Sequence, residues 1–101
     1  MAAPPVAAGC YGKLPVTGDF LRHHPGGATV LEWERWLEAG LSDASQRLGR
    51  GVKERLASFS AFRFVFPGRR SDTLLVGAIG PGRDRSGRLF PFSVFVFAGP
   101  A

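Results

Sequence analysis

"AFRFVFPGRRSDTLLVGAIG", residues 61–80, decides the fold. Its first six residues alternate, with Phe62, Phe64 and Phe66 on one side and Arg63 and Val65 on the other. That is the two-residue period of a strand with one wet or partly wet face. Pro67-Gly68 ends the run, and "GRRSD" (68–72) reads as a hairpin loop. "TLLVGAIG" (73–80) is apolar on both faces, as an interior strand is. "FPFSVFVFAG" (90–99) is the same: Phe92, Val94 and Val96 back onto Phe95 and Phe97. A strand of this kind wants a helix layer or a partner on each side. The two strand-to-strand links are short, which favours antiparallel pairing.

Upstream the period changes. In "VLEWERWLEAGLSDASQRLG" (30–49), Val30, Trp33, Leu37, Leu41, Ala44 and Leu48 follow the spacing of a helix face, and Trp36 widens it. Glu32, Glu34, Glu38 and Asp43 are expected mostly off that face. Thr29 reads as the N-cap, with Glu32 completing a capping box, and Gly49 as the stop. "VKERLASF" (52–59) is a second, shorter helical piece. "CYGKLP" (10–15) reads as a first strand, "VTGDFLRHHPGG" (16–27) as loop with a turn at Gly18-Asp19, and residues 1–8 as a flexible N-terminus. The expected fold is α+β: one domain over residues 9–101, with one long and one short helix between a first strand and a three-strand meander. The helices form a layer on a mainly antiparallel sheet.

The totals bound the function. A chain of 101 residues holds one modest core. Its net charge is +5, yet the eleven arginines are scattered along the chain, several with acids nearby. The phenylalanines read as core, and the base-flanked Gly-Phe-Gly-Phe pattern of an RNA-binding sheet is missing, so no nucleic-acid partner is expected. One cysteine, Cys10, excludes an internal disulfide and any multi-cysteine zinc site, and fits the cytoplasm best. The N-terminus lacks the pattern of a signal peptide, and no run is long enough to span a bilayer.

Two segments share a grammar of glycines, an aspartate, bases and an aromatic: "GKLPVTGDFLRHH" (12–24) and "GPGRDRSGRLFPF" (80–92). The second lacks the Gly-Lys-Ser/Thr of a phosphate loop and precedes a strand, not a helix. His23-His24 reads as solvated loop, because neighbours on an extended chain point apart. Asp19 and Asp84 would form a carboxylate pair for acid–base or divalent-cation work if the loops meet. Each also suits a backbone cap or an ion pair with Arg88 or Arg22. No nucleophile elbow is present.

Four stretches in order resemble one family, the TagF (also called ImpM) proteins of bacterial type VI secretion. These are "YGKLPVTGDFLRHH" (11–24), "WERWLEAGLSDASQRLG" (33–49), "FRFVFPG" (62–68) and "LLVGAIGPGRDRSGRLFPFSV" (74–94). The pattern departs in places, with Gly82 where the family has serine, Arg83 where it has a small apolar residue and Phe62 where tryptophan is common. Many members run on well past residue 101, so the chain reads as a minimal member or an N-terminal domain. The resemblance implies a cytoplasmic, non-enzymatic accessory protein without a cofactor, a post-translational repressor that engages the forkhead-associated scaffold protein of the apparatus. Matched residues Gly12, Lys13, Leu14, Pro15, Gly18, Asp19, Phe20, Asp84, Gly87, Arg88, Phe90 and Pro91 are then partly scaffold and partly surface. The expectation is that the loops lie side by side, that Asp19 and Arg88 help fix them, and that Arg22, Arg83, Arg85 and Phe20 face a partner. Alternatively Asp19 and Arg88 only tie two turns together. Three rivals stand beside this: a cation or hydrolase site on Asp19 and Asp84; a small α/β regulatory domain for a nucleotide-dependent switch protein, by fold analogy alone; and nonspecific nucleic-acid binding through net charge, which predicts affinity falling steeply with salt. The oligomeric state stays open.

Overall fold

The structure is a computed structural model that describes residues 7–16, 18–69 and 73–99. Five strands form one sheet: β1 (Ala8–Gly12), β2 (Leu21–His23), β3 (Phe62–Pro67), β4 (Leu74–Gly80) and β5 (Phe92–Ala98). Their order is β2-β1-β5-β4-β3, and each neighbouring pair is antiparallel. Helices α1 (Ala28–Leu48) and α2 (Gly51–Ser58) come between β2 and β3. This is the α+β arrangement expected, with the meander of β3, β4 and β5. Among the described residues no helix is long and apolar enough to cross a membrane.

β2 was expected as loop. It is three residues long and none of them is buried, so it has no apolar period to read; pairing with β1 makes it a strand. β1 begins two residues before the expected start, and the Ala7 carbonyl accepts from the Phe97 amide at 2.9 Å. The rest of the N-terminus expected to be flexible, residues 1–6, lies outside the described residues, as do residues 70–72 of the β3–β4 hairpin loop.

The expected capping box does not form. Helix α1 starts at Ala28 behind Gly27, without a side-chain cap. Thr29 is buried, and its hydroxyl donates 3.2 Å to the Thr73 carbonyl at the start of β4. Glu32 accepts the Arg69 amide at 3.0 Å. A tertiary acceptor has outbid the local one for the hydroxyl, and Glu32 closes the hairpin end instead of the helix.

The core lies between α1 and one sheet face, and is built from Tyr11, Val30, Trp33, Leu37, Leu75, Ile79, Phe90 and Phe95. Trp33 is its centre. Its ring stacks on Phe64 (centroids 4.2 Å apart) and meets Phe66 edge-on. Its indole N–H donates 3.0 Å to Ser93 Oγ, which donates 3.1 Å to the Tyr11 carbonyl. A buried indole needs such an acceptor. The chain tying α1 to β5 to β1 therefore runs through one tryptophan.

Candidate functional site: two interlocked loops

The segments 12–24 and 80–91 do meet, at one end of the sheet. The second is a tight hairpin organised by Asp84. Its backbone carbonyl accepts from the Gly87 amide at 3.0 Å, and its Oδ1 accepts from the Ser86 and Arg88 amides at 2.9 and 3.0 Å. Gly87 sits at φ 86°, in the left-handed region that a side chain would disfavour. Arg88 then folds back, with Nε 2.7 Å from Asp84 Oδ2. So the spacing Asp-x-x-Gly-Arg is a self-capping turn: acid, positive-φ glycine, returning cation.

That turn grips the first loop at several points. Arg88 Nη2 donates 2.7 Å to the Gly18 carbonyl, and Arg85 Nη2 donates 2.7 Å to the Val16 carbonyl. Lys13 is buried, with its ammonium 3.4 Å from Asp84 Oδ2 and 5.0 Å from the centre of the Phe20 ring. Phe20 packs edge-on to Phe90 and stacks on Tyr11. Gly82 allows the close approach: a Cβ there would stand 2.5 Å from both the Lys13 and Phe90 carbonyl oxygens.

The expected tie between Asp19 and Arg88 is replaced by this arrangement. Arg88 does bridge the loops, but its carboxylate partner is Asp84, and it reaches the first loop through the Gly18 carbonyl. Asp19 is exposed and accepts the Phe20 amide at 2.7 Å. The turn chemistry explains the choice. A residue four positions away on the same hairpin arrives with the fold of that hairpin, at no cost in loop closure. Asp84 is 2% exposed, and both oxygens are engaged by amides or cations. Burial alone would raise its pKa. The Arg88 and Ser86 amides, with the Arg88 guanidinium, outweigh that and hold the carboxyl below the ordinary aspartate value. Among the described residues, no group of three or more His, Cys, Asp or Glu side chains gathers as a cation site would need. With its oxygens committed to Lys13 and Arg88, Asp84 is not placed for the carboxylate pair.

Arg22 is placed differently from Arg83 and Arg85. Its guanidinium lies 5.6 Å from the Tyr11 ring centre, and Nε donates 2.9 Å to Glu34 Oε2. Hydrogen bonding to Glu34, and then its charge, strengthen the guanidinium as a base. Glu34 is buried and also takes His24, whose Nε2 stands 2.8 Å from the same oxygen. The Gly26 amide donates to His24 Nδ1 at 3.0 Å, so that nitrogen accepts and the ring proton of neutral His24 sits on Nε2, facing the carboxylate. His24 was expected to be solvated; its side chain is only 5% exposed. Glu34 was expected off the buried face. Yet it stands four residues after Val30 and three before Leu37, inside the apolar stripe, and that position was the signal for a buried, partnered acid. Tyr11 closes the group by donating 2.9 Å to Glu38. Burial, then the Glu38 bond and charge, push its phenol pKa well above the ordinary value.

The exposed side chains of the loop end include Val16, Asp19, the partly exposed Phe20, and the outer parts of Arg83, Arg85 and Arg88. Arg83 pairs with Leu89 in an isolated bridge at the base of the hairpin.

The sequence and fold have relatives. A profile of the TagF N-terminal domain, described as type VI secretion system-associated, matches residues 9–99. Among solved structures, the crystal structure of PA0076 from Pseudomonas aeruginosa PAO1 is similar at a TM-score of 0.82 and 30% sequence identity. The match covers 92% of this chain and 43% of that one, so the chain spans less than half the length of this solved relative. No curated protein matches. The profile covers nearly the whole chain, and the loops that carry the signature sequences are the ones locked together here: the chain belongs to the TagF family, as an N-terminal domain associated with the type VI secretion system.

Proposed function

We propose that this domain is a non-enzymatic, cytoplasmic accessory module of type VI secretion, a post-translational repressor that works by binding the forkhead-associated scaffold protein of the apparatus. The observation that carries the interaction reading is how the loop end uses its charges. The buried acids among the described residues, Glu34 and Asp84, are each held by two basic groups: Glu34 by Arg22 and His24, Asp84 by Lys13 and Arg88. Neither is left poised for proton transfer. What the locked loops present outward is mostly cationic and apolar: Arg83, Arg85, Val16 and Phe20, with the exposed Asp19 beside Phe20. Arginine forks on a rigid mount suit carboxylates on a partner. Arg22, tied to Glu34, belongs to the mount more than to the surface.

Co-elution with the forkhead-associated scaffold at physiological salt tests the proposal. The wild-type domain should form a complex, and the double reversal Arg83→Glu, Arg85→Glu should lose it while staying folded by circular dichroism, with Tm lowered by the loss of the Arg85 bond to the Val16 carbonyl; Arg83→Glu alone should weaken the complex at unchanged Tm. A complex that survives the reversal would remove the loop end as the contact surface. No complex with any form of the domain, or with the full-length relative, would overturn the scaffold reading.

A further inference from the structure

The sheet has a second face, and nothing among the described residues covers it. Cross-strand register lines its residues up in rows. One row runs Ala8, Val96, Val76, Val65 across β1, β5, β4 and β3. The next runs His23, Cys10, Val94, Ala78, Arg63 from β2 to β3. Val65 is 63% exposed and Val94 48%. Side chains this small leave a flat, shallow floor that crosses the central strands, far more apolar than a solvated sheet face.

Three observations say what fits it. First, its charge is one-sided: Arg63 stands at the β3 end and the titratable His23 at the β2 end, and none of the five strands contains an Asp or Glu. A second copy laid on this face would bring no carboxylate to Arg63, and would join two chains of net charge +5. Second, α1 already covers the other face of the sheet, so a further helical layer has this face to lie on. Third, the solved relative is more than twice as long as the region it shares with this chain.

We propose that this face is the docking surface for an amphipathic helix whose apolar stripe lies on the valine rows and whose flank carries a carboxylate against Arg63. A helix supplies the convex ridge that a flat floor of Val and Ala accepts, and it would complete the two-sided cover that strands apolar on both faces require. Val16, Phe20, Arg83 and Arg85 are not used, so this surface stands or falls apart from the scaffold reading.

The test uses the 101-residue chain and two synthetic 18-residue helical peptides with the same leucine stripe, one flanked by glutamate and one by lysine. Affinity is read by fluorescence anisotropy, and oligomeric state by light scattering. The acidic peptide should bind one to one and about fivefold or more tighter than the basic one, a reversible rim-charge effect that shrinks in high salt. Arg63→Glu should abolish or invert that preference. Arg35→Glu, the same charge change on α1 away from the face, should leave it, which separates Arg63 from the general attraction of a basic chain. Val76→Glu should weaken both peptides while leaving the Tm of the free domain nearly unchanged. A concentration-dependent dimer abolished by Val76→Glu would overturn the proposal in favour of a second copy. Failure of the acidic peptide to bind, or a preference unaffected by Arg63→Glu, would overturn it outright.

Discussion

The two faces of this sheet are made by the same strands, one residue apart, yet they have opposite characters. Toward α1, Tyr11, Leu75, Ile79, Phe90 and Phe95 form one core with Trp33, and among the described residues every buried side-chain nitrogen and oxygen has a partner. On the far side Val65, Val76, Val94 and Val96 stand open. Alternation in a strand tells which residues share a face, but not what covers it. The covered face shows what completion involves: large aromatics, a threaded hydrogen bond from indole to hydroxyl to carbonyl, and ion pairs at its edge. The open face is small-residued along its valine rows, with Phe92 on the same side of β5, and among the described residues it has no such threaded hydrogen bond.

The comparison can be broken most forcefully at Trp33. Trp33→Ala removes the ring that Phe64 and Phe66 pack on and leaves the buried Ser93 hydroxyl without its donor. The expected loss is about 3–5 kcal/mol, read by urea denaturation. In a domain this small that can abolish folding, so Trp33→Phe should be measured beside it, with a smaller loss.

Next in size is the ionic lock between the loops. Asp84→Asn keeps a carbonyl for the turn amides but removes the charge that holds Lys13 and Arg88. Tm at neutral pH should fall clearly, and by more than for Asp19→Ala, whose carboxylate is exposed. The pH dependence has a definite sign. The folded carboxyl binds its proton less readily than the unfolded one, whose pKa is about 3.9. Its stabilisation is therefore present above that value and lost as pH falls through the lower, folded pKa. The wild-type advantage over Asp84→Asn should narrow in that acid window and be flat between pH 6 and 8. An advantage that grew on acidification would contradict the ion-pair assignment.

Smaller again is Gly82→Ser. The hydroxymethyl group would press on the Lys13 and Phe90 carbonyls, and overpacking of this kind costs about 1–3 kcal/mol. Related chains that carry serine at this position, as the family pattern has it, would hold their two loops slightly further apart. A neutral result would mean that the loops separate here at little cost.

Much of this was legible in the sequence where the physics is local. The long helix could be read because its apolar period is unbroken from Val30 to Leu48 and Gly49 stops it, and the meander because Phe62 to Phe66 alternate before a Pro-Gly break. Reading failed where a distant partner decides. "LRH" is a strand only because β1 offers an edge. Thr29 gave its hydroxyl to a carbonyl 44 residues away, and Glu32 took an amide 37 residues on. At the loops, the sequence showed that two Gly/Asp/Arg segments belong together, but not which acid Arg88 would choose. Only the turn around Gly87 makes Asp84 the nearer partner. Glu34 was the avoidable miss, since its place between Val30, Trp33 and Leu37 marks it as interior.

The smallest expected effect is the sharpest test of the two-face contrast. Val94 and Val30 are the same residue type in opposite settings: Val94 half exposed on the open face, Val30 fully buried on α1 in the core against the covered face. Replacing valine by threonine changes shape little and adds one hydroxyl. At position 30 that hydroxyl loses water, and the change should cost about 1–3 kcal/mol. At position 94 water can still reach it, so Val94→Thr should stay within about 0.5 kcal/mol, as surface changes do. The ratio matters more than either value, because both variants share one unfolded chain and one assay. If Val94→Thr proves as costly as Val30→Thr, the open face is already covered in solution. If that cost then fades on dilution, the cover is another molecule.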